Sequence, residues 1–252
     1  MTSQNVIEEK IAAFISQHSV RKALDYLIDL LPDGAVIYLV GGAIRNLIIE
    51  VYHGRRLLTD DIDLFIGGLP DDIQVSEIFR DERFIATDLG GLRWTPVGSV
   101  YDIDICLLKD FILIKKYELT PHLENLLDTL DFTMNTVVYD IRSRQLYARK
   151  ALEHIQKQVM VFNTRKLYTK TAIAYRTLLL RYKTNFALAQ DVFDFVKQAI
   201  DLETLMAVKQ ILGTRFGKNR MLNILADYDR ICSYVNFDNY RHCAPEAITG
   251  EV

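Results

Sequence analysis

The sequence predicts an α+β chain, with a mixed α/β half reaching to about Asp140 and a helical half after it. Three observations predict this. Ala35–Val40, a short apolar run between glycines, and Thr59–Gly67, the carboxylate-bearing segment ended by Gly67-Gly68, have the length of strands. Tyr101-Asp102-Ile103-Asp104-Ile105 alternates polar and apolar residues, the period of a half-buried strand. From Leu152 onward, apolar residues recur at helical spacing through Val208 and on towards Asp229.

Taken in order, apolar positions between Val6 and Leu31 (Ile7, Ile11, Phe14, Ile15, then Ala23, Leu24, Leu27, Leu30) predict one or two amphipathic helices. Pro32-Asp33-Gly34 breaks them before the Ala35–Val40 strand. A helix over Ala43–Tyr52 is stopped by His53-Gly54. The Thr59–Gly67 strand ends at Gly67-Gly68-Leu69-Pro70, and a helix over Asp71–Phe79 takes Asp71 or Asp72 near its N-cap. Phe84–Val100 reads as strands joined at Gly90-Gly91 and Gly98. Leu130–Tyr139 is apolar and ends on β-branched residues, and Arg142–Tyr147 adds a short strand. The last dozen residues are polar and expected to be loose. The division expected is a head over residues 1–140, N-terminal helices included, and a helical region over 141–252.

The chain has 252 residues, half of them hydrophobic and a quarter charged, as in ordinary globular proteins. A net charge of −3 excludes a global nucleic-acid signature, so evidence for such a partner must be local. Cys106, Cys232 and Cys243 are odd in number and share no metal spacing, which points to a reducing compartment. The polar, acidic start from Met1 to Lys10 is no signal peptide, and runs such as Val36–Val40 are too short to span a bilayer. The expectation is a cytoplasmic protein without a membrane partner. His18, His53, His122, His154 and His242 have no partner at ligand or triad spacing and read as surface or packing residues. Cys106 and Trp94 read as core.

Two segments carry the chemistry. Val40-Gly41-Gly42-Ala43-Ile44-Arg45 reads as a glycine turn entering a helix, whose backbone N–H groups suit phosphate. Asp60-Asp61-Ile62-Asp63-Leu64-Phe65 reads as a strand with Asp61 and Asp63 on one face. Paired carboxylates hold divalent cations against a phosphate, and metal-assisted nucleotidyl transfer uses a third carboxylate from a neighbouring strand. Asp102 or Asp104 supplies it. Gly41 and Gly42 let the backbone approach a triphosphate, and Arg45 adds positive charge one turn on. Alone, each element also reads as an ordinary turn or a solvated sheet face; their order and spacing compose a site.

Val40-Gly41-Gly42-Ala43-Ile44-Arg45-Asn46-Leu47 resembles the Val-Gly-Gly-Ala-Val-Arg-Asp opening of class II CCA-adding enzymes and bacterial poly(A) polymerases. Asp61-Ile62-Asp63 is similar to that family's metal pair, and Tyr101-Asp102-Ile103 to the strand bearing its third carboxylate, which selects Asp102. Asp131-Phe132-Thr133-Met134-Asn135 resembles its Arg-Arg-Asp-Phe-Thr-Met-Asn motif and brings Asp131 and Asn135 in as nucleotide contacts or as backbone partners within the head. The resemblance implies a nucleotidyltransferase head of the polymerase-beta type with a mixed sheet, then a helical neck and body. It also implies two Mg²⁺ ions (or Mn²⁺) held by Asp61, Asp63 and Asp102.

The departures are specific. Asn46 replaces an aspartate, and Thr129-Leu130 stand in place of the Arg-Arg pair. Anchoring Arg181-Tyr182 on the family's Arg-Phe puts Ala172 and Tyr175 where its base-reading Asp and Arg belong. Leu146-Tyr147-Ala148 stand for its Asp-Pro-Phe-Gly-Gly stretch, and a full body and tail are not expected in this length. Faithful CCA synthesis is therefore not the expectation.

From Asp140 to Lys183 the chain carries eleven cations against two acids. Arg142, Arg144, Arg149, Lys150, Arg165, Lys166, Lys170, Arg176 and Arg181 are the candidate RNA contacts, with Tyr147, Tyr168, Tyr175 and Tyr182 interleaved for stacking. The alternative is a solvated helical face. The reading is a template-independent nucleotidyltransferase adding nucleotide from an NTP such as ATP to the 3′ end of tRNA or another small RNA. Its rivals are a same-fold enzyme modifying a protein or small molecule, and an inactive RNA-binding homologue.

Overall fold

The computed structural model describes residues 3–59, 61–70, 72–74, 78, 84–87, 90–96, 99–164 and 169–243. They fall into two compact units, Met1–Leu130 with Asn135–Leu152, and Asp131–Met134 with Glu153–Val252.

The first unit opens with helices α1 (Ser3–Ile15) and α2 (His18–Leu30). Their stripe of Ile7, Ile11, Phe14, Ala23, Leu24 and Leu27 is buried, as the spacing requires. Strand β1 (Val36–Val40) leads into α3 (Gly42–His53), which stops where Gly54 turns left-handed at φ 64°. Then follow β2 (Asp61–Gly67), β3 (Phe84–Ala86), β4 (Leu92–Trp94) and β5 (Asp102–Leu107). Short helices α4 (Ile112–Lys116) and α5 (Leu123–Thr129) precede the hairpin of β6 (Val137–Asp140) and β7 (Gln145–Ala148). The expected helix over Asp71–Phe79 lies largely outside the described residues, as does Gly98.

The strands form one mixed sheet in the order β3-β4-β5-β2-β1-β6-β7. Only β2 and β5 run parallel; every other neighbouring pair is antiparallel. Ile37, Leu39, Ile62, Leu64, Ile103 and Ile105 are buried within the sheet, and Ile44, Ile48 and Ile49 of α3 are buried with them. A Lys10–Glu50 ion pair at 2.9 Å ties α1 to α3. Trp94 is buried with its ring against Tyr26, as expected of core.

In the second unit, Phe132 stacks on Phe162, with ring centroids 5.1 Å apart. After α6 (Ala151–Gln156), which starts at the boundary, β8 (Val159–Met160) pairs in parallel with β9 (Ala187–Leu188). This small ladder interrupts the helical pattern expected from Leu152 onward; two-residue strands are too short to show a period. Helices α7 (Lys170–Thr184), α8 (Gln190–Asp194), α9 (Leu202–Ser233) and α10 (Phe237–Cys243) complete the unit, and α7 packs on α9. Helix α9 breaks at Gly217, whose φ of 76° and ψ of 170° are not helical. Among the described residues no helix is long and apolar enough to cross a membrane.

Cys106 is buried on β5, and burial pushes its thiol up to about 12. Cys243 is exposed. Because the thiolate is the reactive form, folded protein at pH 8 should alkylate at Cys243 and spare Cys106 until denaturant is added. Mass spectrometry of protein treated with iodoacetamide checks this; prompt modification of Cys106 in the native state would contradict its burial.

Candidate active site

The parallel pairing of β2 with β5 is in register: Asp61 lies beside Asp102, and Asp63 beside Asp104. Alternation puts Ile62, Leu64, Ile103 and Ile105 on the opposite face, all buried, while the four aspartates stay half-buried on this one. Two adjacent strands therefore present two carboxylates each.

Strand β4 borders the acids on one side. Arg93, the cross-strand partner of Asp104, donates through Nε and Nη2 to its two oxygens at 2.7 and 2.6 Å. The same Nη2 is 3.6 Å from Asp61 Oδ2. This fork to Asp104 raises the guanidinium pKa further above its ordinary value. Two residues on, Thr95 Oγ1 donates to Asp102 Oδ1 at 2.6 Å.

The glycine turn borders the acids on the other side, since Val40 pairs with Asp63. Gly41 has φ 76° and ψ −135°, a conformation open to glycine. A Cβ there would come within 2.6 Å of Asp63 Oδ2. The turn is thus glycine for two reasons, backbone conformation and close approach of a carboxylate. The N-cap of α3 is Gly41, which has no side chain of its own to cap the first-turn N–H groups.

Arg45 departs from its expected place on a triphosphate. It is buried, donating through Nη1 to Asn135 Oδ1 at 2.8 Å and through Nη2 to Asn46 Oδ1 at 3.0 Å. Asn46 in turn donates to the Leu58 carbonyl at 3.1 Å. Arg45 and Asn135 therefore lock the turn to the segment entering β6, and bring positive charge near the turn without exposing it. Asp131 belongs to the second unit, where it accepts from the Phe132 backbone N–H at 2.8 Å and pairs with Arg176. The backbone group it binds is thus in the second unit and not in the head. His154 is buried in the same unit, its Nδ1 2.6 Å from Thr133 Oγ1, in keeping with a packing role.

The candidate RNA contacts are divided. Arg165 and Lys166, with Tyr168, lie outside the described residues. Arg142 and Arg144 are exposed at the β6–β7 turn, which sits beside the start of β1 through the bond from Ile141 N to Ile37 O. That is the end of the sheet away from Gly41, roughly 13 Å along β1 at strand rise. Arg149 and Lys150, also exposed, follow β7 at the Gly41 end, where Arg149 N bonds the Thr136 carbonyl. Arg149 also pairs with Asp128.

In the second unit, Lys170 pairs with Asp201, the N-cap of α9, and holds that carboxyl well below the usual range. Arg176 pairs with Asp131. Arg181 is a correction: it is buried, bonded to Asn185 Oδ1 at 2.8 Å and 3.7 Å from Asp227, so it serves the helix packing rather than a nucleic-acid surface.

Among the described residues no three His, Cys, Asp or Glu side chains are gathered to hold a metal. In kind the donors fit a hard divalent cation: Asp61, Asp63 and Asp102 offer carboxylate oxygens from two adjacent strands, with the bare Cα of Gly41 beside them. Asp102 is drawn to Thr95 and Asp61 stands beside Arg93. Sequence reading missed both Arg93 of β4 and Thr95 just after it, since nothing in Leu92-Arg93-Trp94-Thr95 marks its register against the acids.

No family model matches the chain, and no curated protein matches it. Solved structures do. An apo CCA-adding enzyme aligns with a TM-score of 0.59 at 15% identity, over 88% of this chain and 53% of its own. The Bacillus stearothermophilus CCA-adding enzyme in complex with CTP gives 0.56 at 21% identity, over 84% and 52%. The Thermotoga maritima CCA-adding enzyme complexed with tRNA gives 0.53 at 15% identity, over 88% and 55%. The chain has the fold of these enzymes and spans about half their length.

Gly41→Ala should be costly for its conservative size, because the new Cβ meets a carboxylate in a backbone region hostile to L-residues. We expect a loss of about 1–3 kcal/mol in urea denaturation. Gly34→Ala, also at positive φ but with open space around it, should cost less. Equal costs would mean that Asp63 does not press on the turn.

Proposed function

We propose that the chain is a template-independent nucleotidyltransferase that joins a nucleotide from an NTP to the 3′ end of an RNA. The observation that carries this reading is the in-register acid face of β2 and β5 beside the glycine turn that opens α3. Backbone N–H groups at Gly41 and Gly42 bind the triphosphate, with the positive end of α3 behind them. Asp61, Asp63 and Asp102 would hold two Mg²⁺ ions, which when bound neutralise phosphate charge and make the attacking hydroxyl more acidic.

The acceptor 3′ oxygen bonds to the α-phosphorus as the bond to pyrophosphate breaks, and the hydroxyl proton passes to Asp102 or to solvent. Thr95 donates to one oxygen of Asp102 and so holds the carboxylate in orientation. Lys150 and Arg149, at the Gly41 end of the sheet, serve the acceptor backbone. The base-reading positions on α7, Ala172 and Tyr175, offer no Asp–Arg pair, so base choice should differ from ordered addition of C and A.

A second reading keeps the chemistry and changes the acceptor to a protein or small molecule. One observation favours it: Arg149, Lys170, Arg176 and Arg181 are already engaged with acids of the chain. Incubating the protein with each labelled NTP, Mg²⁺ and total small RNA, beside a soluble protein extract, separates the readings. We expect label in RNA, reduced at least about a hundredfold by Asp61→Ala/Asp63→Ala. Label in protein alone would establish the second reading, and label in neither would refute transfer to both.

A further inference from the structure

We propose that Arg93 is a resident counter-cation of the acid face that competes with divalent metal for Asp61. On this view the free protein takes up metal weakly, and metal arrives together with the triphosphate. The inference rests on the metal-dependent reading above and deepens it.

The geometry separates two unequal attachments. Arg93 is forked onto Asp104 by two short bonds, 2.7 and 2.6 Å, a bidentate arrangement that fixes the plane of the guanidinium. Its reach to Asp61 is one contact of 3.6 Å, longer than a hydrogen bond. Asp104 is therefore the anchor, and Asp61 is a carboxylate that Arg93 can release. This also divides labour within the strand: Asp104 is occupied by arginine, Asp102 is steadied by Thr95, and Asp63 lies against the glycine turn.

Asp61 thus stands between a resident cation and an incoming one. A positive charge a few ångströms from a cation site lowers its affinity, and at about one-third side-chain exposure solvent screens the effect only in part. A bound triphosphate brings its own charge to the face and offers Arg93 an alternative partner, which frees Asp61. Metal binding and nucleotide binding are then coupled, each favouring the other.

The test is Mn²⁺ binding to the full chain, read as free Mn²⁺ by electron paramagnetic resonance, without nucleotide. Arg93→Gln should tighten Mn²⁺ binding about tenfold or more, and Arg93→Gln/Asp61→Asn should lose that gain. Asp104→Asn, which frees Arg93 to pair with Asp61, should weaken binding several-fold. This opposite shift keeps the test open should Arg93→Gln fold poorly. Lys22→Gln, an exposed charge on α2, should change nothing. An ATP analogue that cannot be hydrolysed should tighten Mn²⁺ binding more in the wild type than in Arg93→Gln.

Unchanged or weaker binding in Arg93→Gln, with wild-type binding still dependent on Asp61, would overturn the role of Arg93 and leave the metal reading standing. No Mn²⁺ binding by any variant, with or without the analogue, would overturn both.

Discussion

The parallel register of β2 on β5 is the constraint on which the rest of this architecture depends. Neighbouring strands lie about 4.8 Å apart, so aligning Asp61 with Asp102 and Asp63 with Asp104 crowds four carboxylates onto one small face. Like charges so close destabilise the fold unless something answers them. The chain answers from both flanks. On one flank strand β4 contributes Arg93 and the residue after it Thr95; the other flank contributes the N-terminus of α3, whose dipole favours a nearby carboxylate such as Asp63. A one-residue slip between β2 and β5 would turn one pair of acids into the core, so the apolar face enforces the polar one.

The residues beneath the glycine turn act through that same constraint. Arg45, Asn46 and Asn135 form a buried network that fixes where α3 begins. Removing one member leaves the others with unmet hydrogen-bonding groups in a buried place, which is costlier than losing one contact. A charged residue beside a glycine turn invites a role in binding phosphate. Here burial gives it a different one, holding the turn in shape while it contributes charge at short range.

Much of this was legible in the sequence, and the limit follows a physical rule. Local features were readable: the helical N-terminal stretch, the stop at Gly54, the acid strands and the glycine turn are written in spacing and in residues with special backbone freedom. The mixed sheet and its acid face followed from those elements and from the family resemblance. What was not readable depended on register between segments far apart in the chain. Arg93 meets Asp104 because β4 folds back on β5 at one particular offset, and no pattern within Leu92–Trp94 states that offset. The two-residue strands β8 and β9 were lost for a related reason, having too few residues to show alternation.

Charge counting shows the same limit in another form. The excess of cations between Asp140 and Lys183 is real in sequence, yet a count along the chain assigns partners only among neighbours. In space, Asp128, Asp131, Asp201 and Asp227 reach in from outside that segment or from its far side and take up Arg149, Arg176, Lys170 and Arg181. Strand direction then divides the remainder. The turn that carries Arg142 and Arg144 lies beside the start of β1, whereas Lys150 lies beside its end, where the glycine turn and the acids are. Among the described cations of that segment, Lys150 and the partly engaged Arg149 are the exposed ones beside the glycine turn and the acids. Sequence distance therefore misjudges both which cations are engaged and which end of the sheet the exposed ones occupy, since partners and strand direction are set only in the folded chain.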